Sequence, residues 1–117
     1  YLGAMIFAAA TDDKSLMVFG NAADVVAYCE CIDVEDGRWR FWNEAGVALA
    51  PEILTPCHRD GFVVGSGDYR LVVANHLSSL SDCLATLASL ERNVYFPTIA
   101  SVRAHLANIA QVPPHGS

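Results

Sequence analysis

The chain has 117 residues, enough for one domain whose core needs no disulfide or metal to hold it. Seven Lys and Arg against 13 Asp and Glu leave a formal net charge of -6, which disfavours a phosphate-backbone partner and suits a basic protein or a cation. Apolar residues make up 53% of the chain, yet no run approaches the roughly 20 residues of a membrane-spanning helix, so a soluble protein is expected.

Tyr1 to Ala10 is short and apolar, with no basic leader and no evident cleavage pattern, which points to the cytoplasm. Tyr1 to Ala4 and Pro113 to Ser117 are expected to be flexible or extraneous to the native chain and carry none of the functional argument. Met5 to Ala10 is continuously apolar and reads as a central strand buried on both faces. The turn formers Thr11-Asp12-Asp13-Lys14 then lead into a second strand, Ser15 to Phe19, making a hairpin that Gly20 ends.

Asn21 is a candidate N-cap, with Asp24 near the positive end of the helix dipole. Ala22, Val25, Val26, Cys29 and Ile32 recur at helical spacing, predicting three turns packed on the sheet with Asp24, Ala27 and Glu30 outward. The helix is expected to stop at Asp33-Val34-Glu35-Asp36-Gly37, a solvent-facing acidic turn whose glycine can take a positive φ.

Alternation from Arg38 to Asn43 sorts a strand into Arg38, Arg40 and Trp42 on one face and Trp39, Phe41 and Asn43 on the other, the second set lining the core. Trp42 then sits on the face its arginines keep wet, where it stacks on a guanidinium, packs under a local loop or anchors a partner. Asn43-Glu44-Ala45-Gly46 turns the chain into a strand with Val47, Leu49, Pro51 and Ile53 alternating, and Pro51 places that strand at an edge or ends it. Thr55 to Gly61 reads as a polar loop, and its His58-Arg59-Asp60 has none of the companion motifs of a kinase catalytic loop. Phe62 to Val64 and Tyr69 to Ala74 read as a hairpin about Gly65-Ser66-Gly67-Asp68, because a phosphate cradle would lead into a helix and not a strand.

Leu80, Cys83, Leu84, Leu87 and Leu90 predict a helix capped by Ser79 and closed at Asn93. Thr98 caps a last one, with Ile99, Val102, Leu106 and Ile109 inward and Arg103 and His105 outward, until Pro113-Pro114 forbids continuation. The expected architecture is a single α+β domain over residues 1–117, a largely antiparallel sheet with one helix after the second strand and two C-terminal helices.

No catalytic or metal constellation assembles. Cys29 and Cys31 on one helix point their thiols about 200° apart, which does not suit one tetrahedral ion. Cys57-His58 lacks an orienting third group, so a small cysteine hydrolase is the weakest reading; free, packed thiols are expected, with no cofactor and no metal. Carboxylates beside aromatics and arginine make the composition of a protein-recognition surface.

The succession MIFAAATDDKSLMVFGNAADVVAYCECIDVEDGRWRFWNEAGVALAPEIL, then GFVVGSGDYRLVV and TIASVRAHL, resembles small bacterial immunity proteins of contact-dependent growth inhibition systems, from Met5 to Leu106. Its most specific part is IDVEDGRWRFWNEAG followed by FVVGSG. The resemblance implies a cytoplasmic, non-enzymatic monomer that binds the toxic C-terminal domain of a delivered effector, commonly a nuclease, in a one-to-one complex. An adaptor or structural protein-binding domain is the alternative. Contact residues differ between members of that family, so the candidates here come from chemistry: Asp33, Glu35, Asp36, Glu44 and Asp68 as steering carboxylates, with Arg40 and Trp42 as the contact pair, Trp42 the anchor.

Overall fold

The computed structural model of the chain describes residues 5–55, 58–60, 63–65 and 68–111. Strands β1 (Ile6–Ala10) and β2 (Ser15–Phe19) form the expected hairpin, with Ile6 opposite Phe19 and Ala10 opposite Ser15. Asp13 fastens its corner by accepting from the Ser15 hydroxyl at 2.7 Å and the Ser15 amide at 3.1 Å, bonds that hold the carboxyl below its ordinary range. Strands β3 (Trp39–Asn43), β4 (Ala48–Thr55), β5 (His58–Asp60), β6 (Val63–Gly65), β7 (Asp68–Val73) and β8 (Ser89–Leu90) follow in chain order. Six of the eight strands of the described residues form one sheet in the order β7-β4-β3-β1-β2-β8, antiparallel except where β8 joins β2. The domain is α+β, and no helix of the described residues is long and apolar enough to cross a membrane.

Helices cover both faces of this sheet. Phe7 and Ala9 of β1, Leu16 of β2 and Trp42 of β3 lie under the short helix α3 (Leu80–Cys83), a 3-10 turn at Leu84–Thr86 and the C-terminal helix, which bring in Leu80, Leu84, Val102 and Leu106. On the other face Ile6, Ala8, Phe41 and Leu49 meet Val25 of α1 (Ala22–Tyr28) and Cys31 and Val34 of α2 (Cys31–Glu35). The C-terminal helix, α4 (Ile99–Gln111), starts where Ser101 and Thr98 cap each other, the Ser101 amide reaching the Thr98 hydroxyl at 3.1 Å.

Several expected elements are corrected. The single helix after β2 is broken: its Asn21 cap is present, accepting from the Asp24 amide at 2.8 Å, but Cys29 is extended at ψ 103°. The buried Tyr69 hydroxyl donates to the Cys29 carbonyl at 2.7 Å, taking an acceptor that a continuing helix would have used, and a new turn starts on the Glu30 carbonyl. The helix expected from Leu80 to Leu90 shrinks to α3 and its 3-10 turn. Beyond them the Ala88 and Glu91 amides donate to the Lys14 and Leu16 carbonyls, so the chain satisfies its backbone along the open side of β2 and not within a helix.

Pro51 does not place β4 at an edge. The strand runs on between β3 and β7, but its register with β3 covers only Leu49 and Ala48, so Pro51 has a partner on the β7 side alone. The polar loop expected over Thr55 to Gly61 holds β5, which pairs with β6 in a separate ribbon, while β7 pairs with β4. The expected β6–β7 pairing is therefore replaced, and the turn at Ser66-Gly67 lies outside the described residues. The turn at Asn43 is as expected: the Asn43 side chain accepts from the Ala45 and Val47 amides at 3.0 Å, and Gly46 takes φ 83°. A Cβ there would come within 2.9 Å of a Leu106 methyl, so the positive φ calls for glycine and the packing against α4 favours it.

Candidate functional site

Alternation along β3 holds as expected, but water is on neither side of its middle. Trp42 is 1% exposed, donates its indole N–H to the Ser78 carbonyl at 3.0 Å and has the Arg40 guanidinium over its ring at 5.3 Å. Of the roles open to it, stacking and packing are what it performs. Trp42 is corrected as a partner anchor, since an interface residue must be reachable and this indole is core.

Exposed aromatic surface lies on the opposite face. Phe19, Tyr28, Trp39 and Phe41 form a file with ring centroids 5.6, 6.2 and 6.5 Å apart in that order, running from buried Phe41 outward to Tyr28, which is 57% exposed. Two strands and one helix build it: β2 supplies Phe19, β3 supplies Trp39 and Phe41, and the last residue of α1 supplies Tyr28. Tyr28 was not among the sequence candidates, although it is a bulky aromatic just before the Cys-x-Cys segment, off the apolar helical face.

The acidic segment stands next to Trp39. Asp33 and Glu35 belong to α2, not to a turn as expected, and Asp36 follows it; Gly37, at φ 74°, reverses the chain into Arg38. Arg38 gathers carboxylates, reaching Asp12 at 3.1 Å and Asp33 at 3.9 Å, and its amide donates to the Asp33 carbonyl at 3.0 Å. These pairs are exposed and contribute at most about 1 kcal/mol, so their effect is to hold the segment's shape. Asp33 is half-buried, while Glu35 and Asp36 are exposed.

The other candidates do not join them. Glu44 lies past the far end of β3, a strand of five residues or about 17 Å from the acidic segment, and its carbonyl accepts from His105 Nε2 at 2.9 Å. That bond, with ring contacts to Phe7 and Phe96, turns His105 inward and corrects its outward assignment. Arg40 lies on the Trp42 face, away from the aromatic file, with a terminal nitrogen 3.4 Å from Cys83 Sγ. Asp68 begins β7 opposite Thr55, and its side chain lies outside the described set, as does Cys57.

The expectation of free thiols fails at Cys31, which is disulfide-bonded; Cys29 and Cys83 are free and buried. Among the described residues no three His, Cys, Asp or Glu side chains converge as a metal site. No protein-family model, curated protein or solved structure matches the chain.

Burial, helped by the Asp33 carboxylate, pushes the Cys29 thiol from an ordinary 9.0 up to about 12; burial and neighbouring Cys29 also raise the Tyr69 phenol. Folded protein thus keeps protons that the unfolded chain sheds. The stability from a neutral Cys29 is fully present below about pH 9 and is lost as pH rises toward 12. The urea midpoint should therefore fall steadily above pH 9, read within minutes so that thiol exchange does not intervene, and fall less steeply in Cys29→Ala. Equal slopes in the two proteins would show that Cys29 does not titrate differently on folding.

Proposed function

We propose that the chain is an immunity protein that binds and neutralises the toxic C-terminal, nuclease domain of a contact-dependent growth inhibition effector, without catalysis of its own. The observation that carries the reading is the exposed Tyr28 beside half-buried Trp39, at the edge of the segment bearing Asp33, Glu35 and Asp36. A nuclease surface that holds a phosphate backbone is basic, so carboxylates steer its approach and aromatic faces take its cationic side chains once it docks. The anchor in this reading is Trp39 with Tyr28, in place of Trp42. Glu44 and Arg40 fall outside the contact.

The resemblance implies the cytoplasm, where the toxin is met after delivery. One observation favours a second compartment: a disulfide at Cys31 forms and persists in oxidising surroundings. Alkylation of protein taken directly from its own cell separates the two, since a labelled Cys31 supports the cytoplasm and an unlabelled one supports an exported protein. The adaptor alternative also has one observation in its favour. Strand β7 is an outer strand of the sheet, with Val73 59% exposed, and among the described residues no further strand pairs with it, which suits strand addition by an extended partner.

An immunity protein should be encoded directly after a large secreted toxin, and the test is binding to the C-terminal domain of that upstream protein. Association should slow with added salt and with charge reversal of Asp33, Glu35 and Asp36, while dissociation changes little. Trp39→Ala and Tyr28→Ala, shown first to be folded, should speed dissociation by about tenfold or more, which corresponds to about 1.4 kcal/mol. Absence of a complex, or association indifferent to salt and to the reversals, sinks the proposal.

A further inference from the structure

On the face of the sheet away from the aromatic file, a cavity of about 160 Å³ opens between the ends of β1 and β3 and the 3-10 turn. Its lining includes Lys14, Arg40, Trp42, Cys83, Thr86 and Leu87. Arg40 is held in place without being neutralised. Its guanidinium lies over the Trp42 ring at 5.3 Å and one terminal nitrogen donates to Cys83 Sγ at 3.4 Å, a weak acceptor that meets none of the charge.

Arg38 and Arg70 show the contrast. The first pairs with Asp12 and Asp33 and the second with Glu52, whereas among the described residues no carboxylate lies within ion-pairing distance of Arg40 or Lys14. In a chain with 13 acidic and 7 basic residues, two unmatched cations share one concave, mostly apolar site. The Thr86 hydroxyl gives its proton to the Cys83 carbonyl at 2.7 Å and that of Thr11, also in the lining, reaches the Gly37 carbonyl at 3.5 Å, so the charged donors of the lining are Arg40 and Lys14.

We propose that this cavity binds a small organic carboxylate. The guanidinium, with one edge free of Cys83, takes the carboxylate oxygens; Lys14 adds a second positive charge at the mouth, and Leu87 with the β1 backbone encloses the apolar body. Size suits a small body, because a cavity of about 150 Å³ accepts a benzene-sized molecule. The site is independent of toxin binding, since its residues lie on the other face of the sheet.

The probes are sodium benzoate, inorganic phosphate and benzyl alcohol, titrated into the full chain while the side-chain N–H resonances of Arg40 and Trp42 are followed by NMR. Benzoate should shift both saturably with a Kd of about 1 mM or tighter. Phosphate and benzyl alcohol should each bind at least about tenfold more weakly, one lacking the apolar body and the other the charge. Arg40→Gln should weaken benzoate by the same factor, Lys14→Gln by less, and Arg103→Gln not at all. Lys14→Gln, at an exposed residue, keeps the test valid if Arg40→Gln does not fold. The proposal is overturned if benzoate leaves both resonances unmoved, if benzyl alcohol or phosphate matches it, or if either Lys14→Gln or a folded Arg40→Gln binds it undiminished.

Discussion

Burial of β1 on both faces is the constraint from which the rest of the structure follows. Phe7 and Ala8 are fully buried on opposite sides of the same strand, so one layer of helices cannot finish the core. The chain supplies two layers from different parts of its length. Residues 22–35 close the face of Ile6, Ala8 and Phe41, and residues 80–111 close the face of Phe7, Ala9 and Trp42. Their attachment is polar as well as apolar. The Leu80 amide donates to the Gly46 carbonyl at 2.9 Å, His105 reaches the Glu44 carbonyl at the same distance, and Trp42 holds Ser78, so the β3–β4 turn is where the C-terminal layer is sewn to the sheet.

This arrangement decides which side chains are available for binding. Because β3 has helices on both sides, the side chains of its middle, Phe41 and Trp42, are buried, and near its start Trp39 and Arg40 emerge on opposite faces. The aromatic file with its neighbouring carboxylates occupies one face and the cationic cavity occupies the other. A protein surface and a small-molecule site can therefore coexist in one small domain without sharing residues.

Much of the local structure was legible because it depends on local chemistry. An uninterrupted apolar run marked β1, turn formers marked its hairpin, and Asn21, Asn43, Ser79 and Thr98 carried out the caps and turns that their short polar side chains favour. Tertiary demands that no window of sequence contains caused the errors. The spacing of Leu84, Leu87 and Leu90 suits a helix, but it also suits a 3-10 turn followed by a strand when β2 offers unmet carbonyls. Alternation from Arg38 to Asn43 separated the two faces of β3 correctly, yet periodicity says nothing about how many faces are covered, and Trp42 was given to water because Arg38 and Arg40 share its parity. Half of the candidate site was visible for the same reason: the carboxylates from Asp33 to Asp36 are contiguous, whereas Phe19, Tyr28 and Trp39 come together only through the packing of α1.

Exchange of the two indole N–H protons with deuterium bears most directly on the central claim that the sheet is covered on both sides. Trp42 gives its proton to Ser78 inside the core, so its exchange should require unfolding of the domain and slow as stability rises. The half-buried Trp39 has no such bond among the described contacts and should exchange through local motion at a rate unrelated to global stability. Trp42 exchanging as fast as Trp39 would mean that the C-terminal layer does not cover β3, and the division of the two sites between the faces would fail with it.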